Sequence, residues 1–306
     1  MRIGLMLGVS DGPDGTIDGL VKVAQEAEAK GFDNLWMANI FGLDAISTLS
    51  ILGHATKKIG LGTAVTPTYP RHPTAIAQQA LTAAAASGNR FSLGIGLSHQ
   101  VVIEGMLGFS YDKPAKHMRE YLSVLGPLLK GETTSFKGEQ FNVNNVTLDV
   151  PGAEHVPILV AALGPVMLKL AGELADGTVT WMTGPKTLGD HIIPTIGQGA
   201  TSVGKPTPTI AAGFPMILTN DADEAKKMID RVLSIYGQLP SYRAMLDKEG
   251  AAGPSDIAFV GDEASLRASI QQLRDIGVTD LCASIVAEDP ETYTRTMEFL
   301  ADECVS

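Results

Sequence analysis

The sequence predicts a single (β/α)8 barrel, an α/β fold in which eight parallel strands close into a ring under eight helices. Three observations predict it. Short apolar runs rich in β-formers alternate with helical periodicity from one end of the chain to the other. Each run is continuous rather than alternating, as parallel strands buried on both faces require. The chain has 306 residues, and one barrel of roughly 250 residues plus insertions accounts for them. An open doubly wound sheet of two halves is the alternative.

The elements follow in order. The first run, residues 3–9, has about seven apolar residues and no small-residue cleavage site after it, so it reads as a buried strand rather than a signal segment. Ile17, Leu20, Val21, Ala24 and Ala27 share one helical face, which Gly31 terminates. Further strands are expected at 34–37, 59–65, 91–95, 158–162, 178–182, 209–218 and 280–286. Helices are expected at 43–55, 74–86, 114–129, 165–175, 186–199, 222–236 and 263–276. Residues 135–150 place Gly and Asn turn signals among β-prone residues and read as an inserted hairpin. A second insertion covers 238–257 and contains Tyr242 and Arg243. The insertions therefore follow strands 4 and 7, and no composition break divides residues 1–306, which read as one domain.

Composition narrows the partners. Hydrophobic residues make up 44% of the chain, enough to bury a core. No apolar run reaches the roughly 20 residues that span a bilayer. The net charge of −11 argues against nucleic acid or an anionic membrane as partner. Any anionic cofactor must be held by backbone amides or a few cations. Cys282 and Cys304 are too few for a disulfide framework and lack metal-ligand spacing, so a reducing cytoplasm is expected and no metal.

In such a barrel the loops after the strands carry the chemistry. After strand 3, Pro67, Pro70 and Pro73 stiffen a loop that holds Arg71 and His72. That loop is either a rigid crossover or a polar cluster, and His72 before Pro73 equally suits a helix cap. After strand 4 comes Gly94-Ile95-Gly96-Leu97-Ser98-His99. Its glycines would let a ligand approach the backbone. His99 stands where a dinucleotide fingerprint needs a third glycine, so it is a candidate donor beside a ligand ring or simply a surface histidine. After strand 5, Ala161-Ala162-Leu163-Gly164-Pro165 leads into a helix. Pro165 suits the first helical position, leaving free amides and a helix dipole that favour phosphate. After strand 6, Trp181 is either barrel packing or a wall beside a flat ring, and Lys186 is a solvated lysine or a cation for phosphate. No carboxylate pair, Ser-His-Asp set or metal cluster stands at the strand ends. The hard chemistry is therefore expected of a bound cofactor.

The fragments MRIGLML, EAEAKGFDNLWMANIFGLDA, GTAVTPTYPRHP, SGNRFSLGIGLSH and AALGPVMLKLAGELADGTVTWMTGP together resemble the luciferase-like flavin and deazaflavin oxidoreductases. The resemblance spans essentially the whole chain and is strongest to the branch that uses coenzyme F420, with FMN as the alternative cofactor. It implies a non-proline cis peptide at Ala64–Val65, beside Thr66, behind the deazaflavin ring. It implies that Gly96, Leu97, Ser98 and His99 line the ring and that Ala161, Ala162, Leu163 and Gly164 hold the phosphate. Asn39 and Trp181 would complete the cofactor set. The sugar-phosphate dehydrogenases of this family carry an Asp-His pair after strand 2 and a Glu after strand 4. Here those positions hold Asn39-Ile40 and His99, so sugar-phosphate oxidation is not expected. The implied activity is hydride exchange between F420 and a small unsaturated or carbonyl substrate, with His99 as the proton donor, in a homodimer. An FMN monooxygenase fed by a separate reductase, or a non-catalytic cofactor carrier, are the rival readings.

Overall fold

A computed structural model describes residues 1–7 and 15–305. Residues 8 and 9, the end of the first expected strand, lie outside the described residues. In chain order the strands are β1 (Arg2–Leu7), β2 (Asn34–Met37), β3 (Gly60–Thr63), β4 (Thr66–Pro67), β5 (Phe91–Gly96), β6 (Thr134–Lys137), β7 (Asn142–Val146), β8 (Ile158–Val160), β9 (Gly177–Thr180), β10 (Thr209–Leu218), β11 (Phe259–Gly261) and β12 (Asp280–Ile285). The helices are α1 (Ile17–Ala29), α2 (Ala45–Ala55), α3 (Pro73–Ser87), α4 (Gln100–Ile103), α5 (Pro114–Leu129), α6 (Pro165–Leu174), α7 (Pro185–Thr187), α8 (Ile193–Ser202), α9 (Ala222–Val232), α10 (Pro240–Glu249), α11 (Glu263–Ile276) and α12 (Pro290–Val305).

Parallel pairing runs β1-β2-β3-β5-β8-β9-β10-β12 and returns to β1, which closes an eight-strand barrel. The expected open-sheet alternative is excluded by that closure. Inside the barrel, Trp36, Leu159, Val179, Ala211 and Cys282 pack together. Trp36 pairs in register with Gly62, where a Cβ would stand 2.4 Å from the indole. A Cβ on Gly213 would likewise lie 2.7 Å from the Trp181 ring. Two glycines therefore make the volume that two tryptophans fill, keeping the interior close-packed.

The N-terminal end of the barrel is plugged by Asp280, the first residue of β12. Its carboxylate receives Arg2 Nε at 2.7 Å, Asn34 Nδ2 at 3.0 Å and Thr279 Oγ1 at 2.8 Å. A buried carboxylate is tolerated only when paired and hydrogen-bonded in this way. On the outside, α2, α3 and α5 cover one flank and α6 and α8 another.

Several expectations need adjustment. The strand expected at 59–65 stops at Thr63, and the chain resumes pairing one step later as β4 on β5. The helix expected at 186–199 is α7 and α8 joined through a π-turn at Leu188–Ile192. The helix expected at 222–236 ends at Val232. The C-terminal helix α12 was not anticipated, because its apolar Met297 and Leu300 sit among Thr and Glu residues and only packing reveals their face. The hairpin after strand 4 is present as antiparallel β6–β7. Glu120 of α5 pins its turn by accepting the amides of Glu139, Gln140 and Phe141. The second insertion contains α10 and a 3-10 turn at Pro254–Ile257, and it leads into β11 on the edge of β10.

Candidate cofactor site at the barrel mouth

The turn between β3 and β4 is built around a cis peptide at Ala64–Val65, as the family resemblance implies. The Ala64 amide donates to the Met37 carbonyl at 2.8 Å, which ties this turn to β2. The Val65 side chain then crosses to β5. A Cβ on Gly96 would stand 2.7 Å from Val65 Cγ2, and one on Gly94 would stand 1.9 Å from the Thr63 carbonyl oxygen. The missing side chains at Gly94 and Gly96 thus make room for the end of β3 and for the β3–β4 turn. Gly96 also abuts Ala161, whose Cβ would lie 3.2 Å away. The structure thus brings Ala64, Val65, Thr66, Gly96 and Ala161 into one cluster. Thr66 is fully buried, and its Oγ1 has no partner among the described residues.

After β5 the chain turns through Ser98 at φ +59°, and the Ser98 carbonyl accepts from the Tyr111 hydroxyl at 3.3 Å. His99 follows as the residue before α4 and makes no capping bond there. Its half-buried ring meets Tyr242 of α10 edge-on, with centroids 5.3 Å apart. Burial pushes the His99 imidazole below the ordinary histidine range, so the ring is neutral at neutral pH.

The loop from Ala161 to α6 keeps the free donors expected of it. Gly164 precedes Pro165 with no side-chain cap. The first amide of the helix to find a backbone acceptor is Leu168, which donates to the Gly164 carbonyl at 2.9 Å. The amides of Gly164, Val166 and Met167 find no acceptor among the described residues. Gly164 itself is open, with nothing within 4 Å of a would-be Cβ. One residue that the sequence did not mark shapes this loop. His191, inside the π-turn, holds the Leu163 carbonyl at 2.8 Å through Nε2. In a trans peptide the carbonyl and the following N–H point in opposite directions. The His191 bond therefore turns the Gly164 N–H away from α8 and out of the loop.

The remaining expected residues have structural tasks in view. Asn39 Oδ1 accepts the Ala45 amide at 3.0 Å and lies 3.5 Å from Arg71. Arg71 is paired with Asp44 at 2.7 Å, and His72 caps α3 through Nδ1 and the Thr74 amide. Trp181 packs edge-on to Tyr236 at 6.2 Å, and Lys186 stays exposed. Sequence reasoning missed Trp36, Tyr69 and Thr180, which with Thr66 each bury a polar atom lacking a partner. Tyr69 stacks between Tyr111 and His117, 5.3 and 4.0 Å away. Glycines at Gly62 and Gly213 were the available signal for the two indoles.

No described helix is long and apolar enough to cross a membrane, and no described cluster of His, Cys, Asp and Glu has a metal-binding arrangement.

Comparison with known proteins places this architecture. A 5,10-methylenetetrahydromethanopterin reductase of Methanolobus tindarius is 28% identical over 91% of this chain and 94% of its own length. A protein of the same name from Archaeoglobus fulgidus is 32% identical over 80% of this chain and 74% of its own. Among solved structures, the coenzyme F420-dependent tetrahydromethanopterin reductase of Methanopyrus kandleri superposes with a TM-score of 0.82 at 22% identity, covering 99% of this chain and 98% of that one. Residues 1–298 match the luciferase-like monooxygenase family. With its closed barrel, its cis turn behind the mouth and its open α6 amides, the chain belongs to the luciferase-like monooxygenase family.

Proposed function

We propose that this chain is an oxidoreductase that exchanges hydride between coenzyme F420 and a small unsaturated or carbonyl organic substrate. The observation that carries the reading is the buried, partnerless Thr66 hydroxyl together with the amides of Gly164, Val166 and Met167 that find no described acceptor, on two loops bridged by the Gly96–Ala161 contact. A buried polar atom without a partner costs free energy unless a ligand completes it, and helix-start amides suit a phosphate. A ligand with a flat polar ring and a phosphate answers both. The similarity to a reductase named as coenzyme F420-dependent, and to curated relatives named as F420-dependent oxidoreductases, supports the choice of deazaflavin.

Leu163 and Gly164 would hold the phosphate, assisted by the dipole of α6. Ala64, Val65, Thr66, Gly96, Leu97 and Ser98 would flank the ring. When bound, the deazaflavin supplies the hydride donor and acceptor. His99 handles the proton. In carbonyl reduction its protonated imidazole gives a proton to the substrate oxygen, and in alcohol oxidation its neutral form takes one. Lowering of its pKa by burial favours the neutral form, which suits the base role at neutral pH. Asn39, already tied to Ala45 and Arg71, leaves the mouth without the second acid of a sugar-phosphate dehydrogenase.

Titrating the protein with oxidised F420 and with FMN, following the fluorescence of each, tests the reading. Saturable F420 binding and hydride transfer without oxygen are expected. Binding of FMN in preference to F420, or turnover only in the presence of oxygen, would overturn it.

A further inference from the structure

The loop after β5 and the second insertion meet over the mouth of the barrel through aromatic rings. His99 leaves the loop after β5, and Tyr242 belongs to α10, in the excursion between β10 and β12. In the ring of strands β5 and β10 stand three places apart, so the 5.3 Å contact between these side chains bridges the opening rather than lining one wall. The bridge continues from Tyr242 to Tyr236 at 5.7 Å and from Tyr236 to Trp181 at 6.2 Å. Trp181, just after β9, rests over Gly213 of β10 and so connects the bridge to the barrel wall.

On α10 the charged residues next to Tyr242 in the chain or one two-turn step along its face, Arg243 and Glu249, are both engaged. Arg243, next to Tyr242, is engaged by Asp247 and by the carbonyls of Ala251 and Ala252. Glu249 accepts the amides of Lys186 and Thr187. Burial raises the phenols of Tyr236 and Tyr242 and lowers His99, so all three rings are uncharged at neutral pH. Outside the bridge, the segment after β5 and the segment between α9 and α10 leave apolar side chains in solvent: Val101 is 64% exposed and Met106 61% on one side, and Ile235 63% on the other. A phosphate or carboxylate brought against these rings would lose water, and none of the four rings offers it a counter-charge. A flat ring would gain stacked or edge-on contacts.

We propose that the His99–Tyr242–Tyr236–Trp181 bridge is the substrate roof and selects a flat, uncharged, ring-bearing carbonyl or enone over acyclic or phosphorylated compounds. The inference rests on the hydride-transfer reading above. Its test uses the wild type, Tyr242→Leu and Tyr242→Phe, with cyclohexenone and butanone as acceptors and F420 binding measured in the same samples. In the wild type cyclohexenone has the higher kcat/KM. Tyr242→Leu raises the KM for cyclohexenone about fivefold more than that for butanone, while Tyr242→Phe keeps the wild-type ratio. Cyclohexenone also quenches tryptophan fluorescence of the cofactor-free protein, and Tyr242→Leu weakens that binding. Equal effects on both ketones, or a wild type that prefers butanone, overturn the roof. If F420 fails to bind the wild type, the hydride-transfer reading falls, and the fluorescence titration alone then decides the roof: loss of binding in Tyr242→Leu supports it, and no binding to the wild type overturns it.

Discussion

At the N-terminal end of the barrel Asp280 is completed by Arg2, Asn34 and Thr279, whereas around the C-terminal end Trp36, Thr66, Tyr69 and Thr180 each bury a polar atom with no described partner. The two ends share the same strands, the same glycine-rich interior and comparable burial. They differ in whether the protein satisfies its own hydrogen bonds. Buried polar groups in folded proteins are nearly always paired, because an unpaired one keeps its desolvation cost. The N-terminal end follows that rule and contributes stability. The mouth departs from it at four side chains, and a ligand is what such a departure accommodates. Partition of labour of this kind is expected of a barrel whose chemistry sits at the strand ends.

Changes at the two ends should therefore separate stability from function, and the largest effect belongs to the plug. Asp280→Ala leaves Arg2 and Asn34 without their carboxylate and should cost about 3–5 kcal/mol in denaturant unfolding, with F420 affinity of the folded fraction unchanged. Loss of binding in protein that is still folded would break the comparison. His99→Ala should do the reverse, lowering turnover about 100-fold with no change in unfolding midpoint. The pH profile sharpens this case. Because burial lowers the His99 pKa below 6.5, the protonated acid is present only below that value. The rate of carbonyl reduction should fall as pH rises through the depressed pKa, and the His99→Ala profile should lack that limb.

A smaller effect is expected at the phosphate loop. His191→Ala frees the Leu163 carbonyl and should weaken F420 binding about tenfold, some 1.4 kcal/mol. Affinity for the phosphate-free deazaflavin riboside should stay as it was. Equal weakening of both ligands would show that His191 acts on the ring side or on the fold. Little stability effect is expected of Thr66→Val either, which removes a hydroxyl that no described residue satisfies. Unfolding free energy should change by less than about 0.5 kcal/mol while F420 affinity falls. A destabilisation of several kcal/mol would mean that Thr66 is structural.

Much of this molecule is legible in its residues. All eight barrel strands stand where continuous apolar runs place them, since a parallel strand buried on both faces has no polar side to interrupt its pattern. Pro165 announces the open start of α6, because a residue lacking an N–H fits only where a helix does not need one. Other features were not. At Gly94 and Gly96 the sequence does not show that Thr63 and Val65 stand where a side chain would be. His191 carries no motif, and its role depends on a π-turn that sets it beside Leu163. Tyr242 stands 143 positions after His99 in the chain, and no periodicity links a residue of the loop after β5 to one on the second insertion.

The sequence by itself determined the barrel, the position of its mouth and the kind of loop at each strand end. These follow from local periodicity, from proline and glycine chemistry and from burial, all of which act over a few residues. Tertiary structure alone decided which polar atoms lack partners, how His191 aims the α6 loop and that an aromatic bridge crosses the opening. Those properties depend on which distant side chains share a volume, and a close-packed fold settles that only when the barrel has closed.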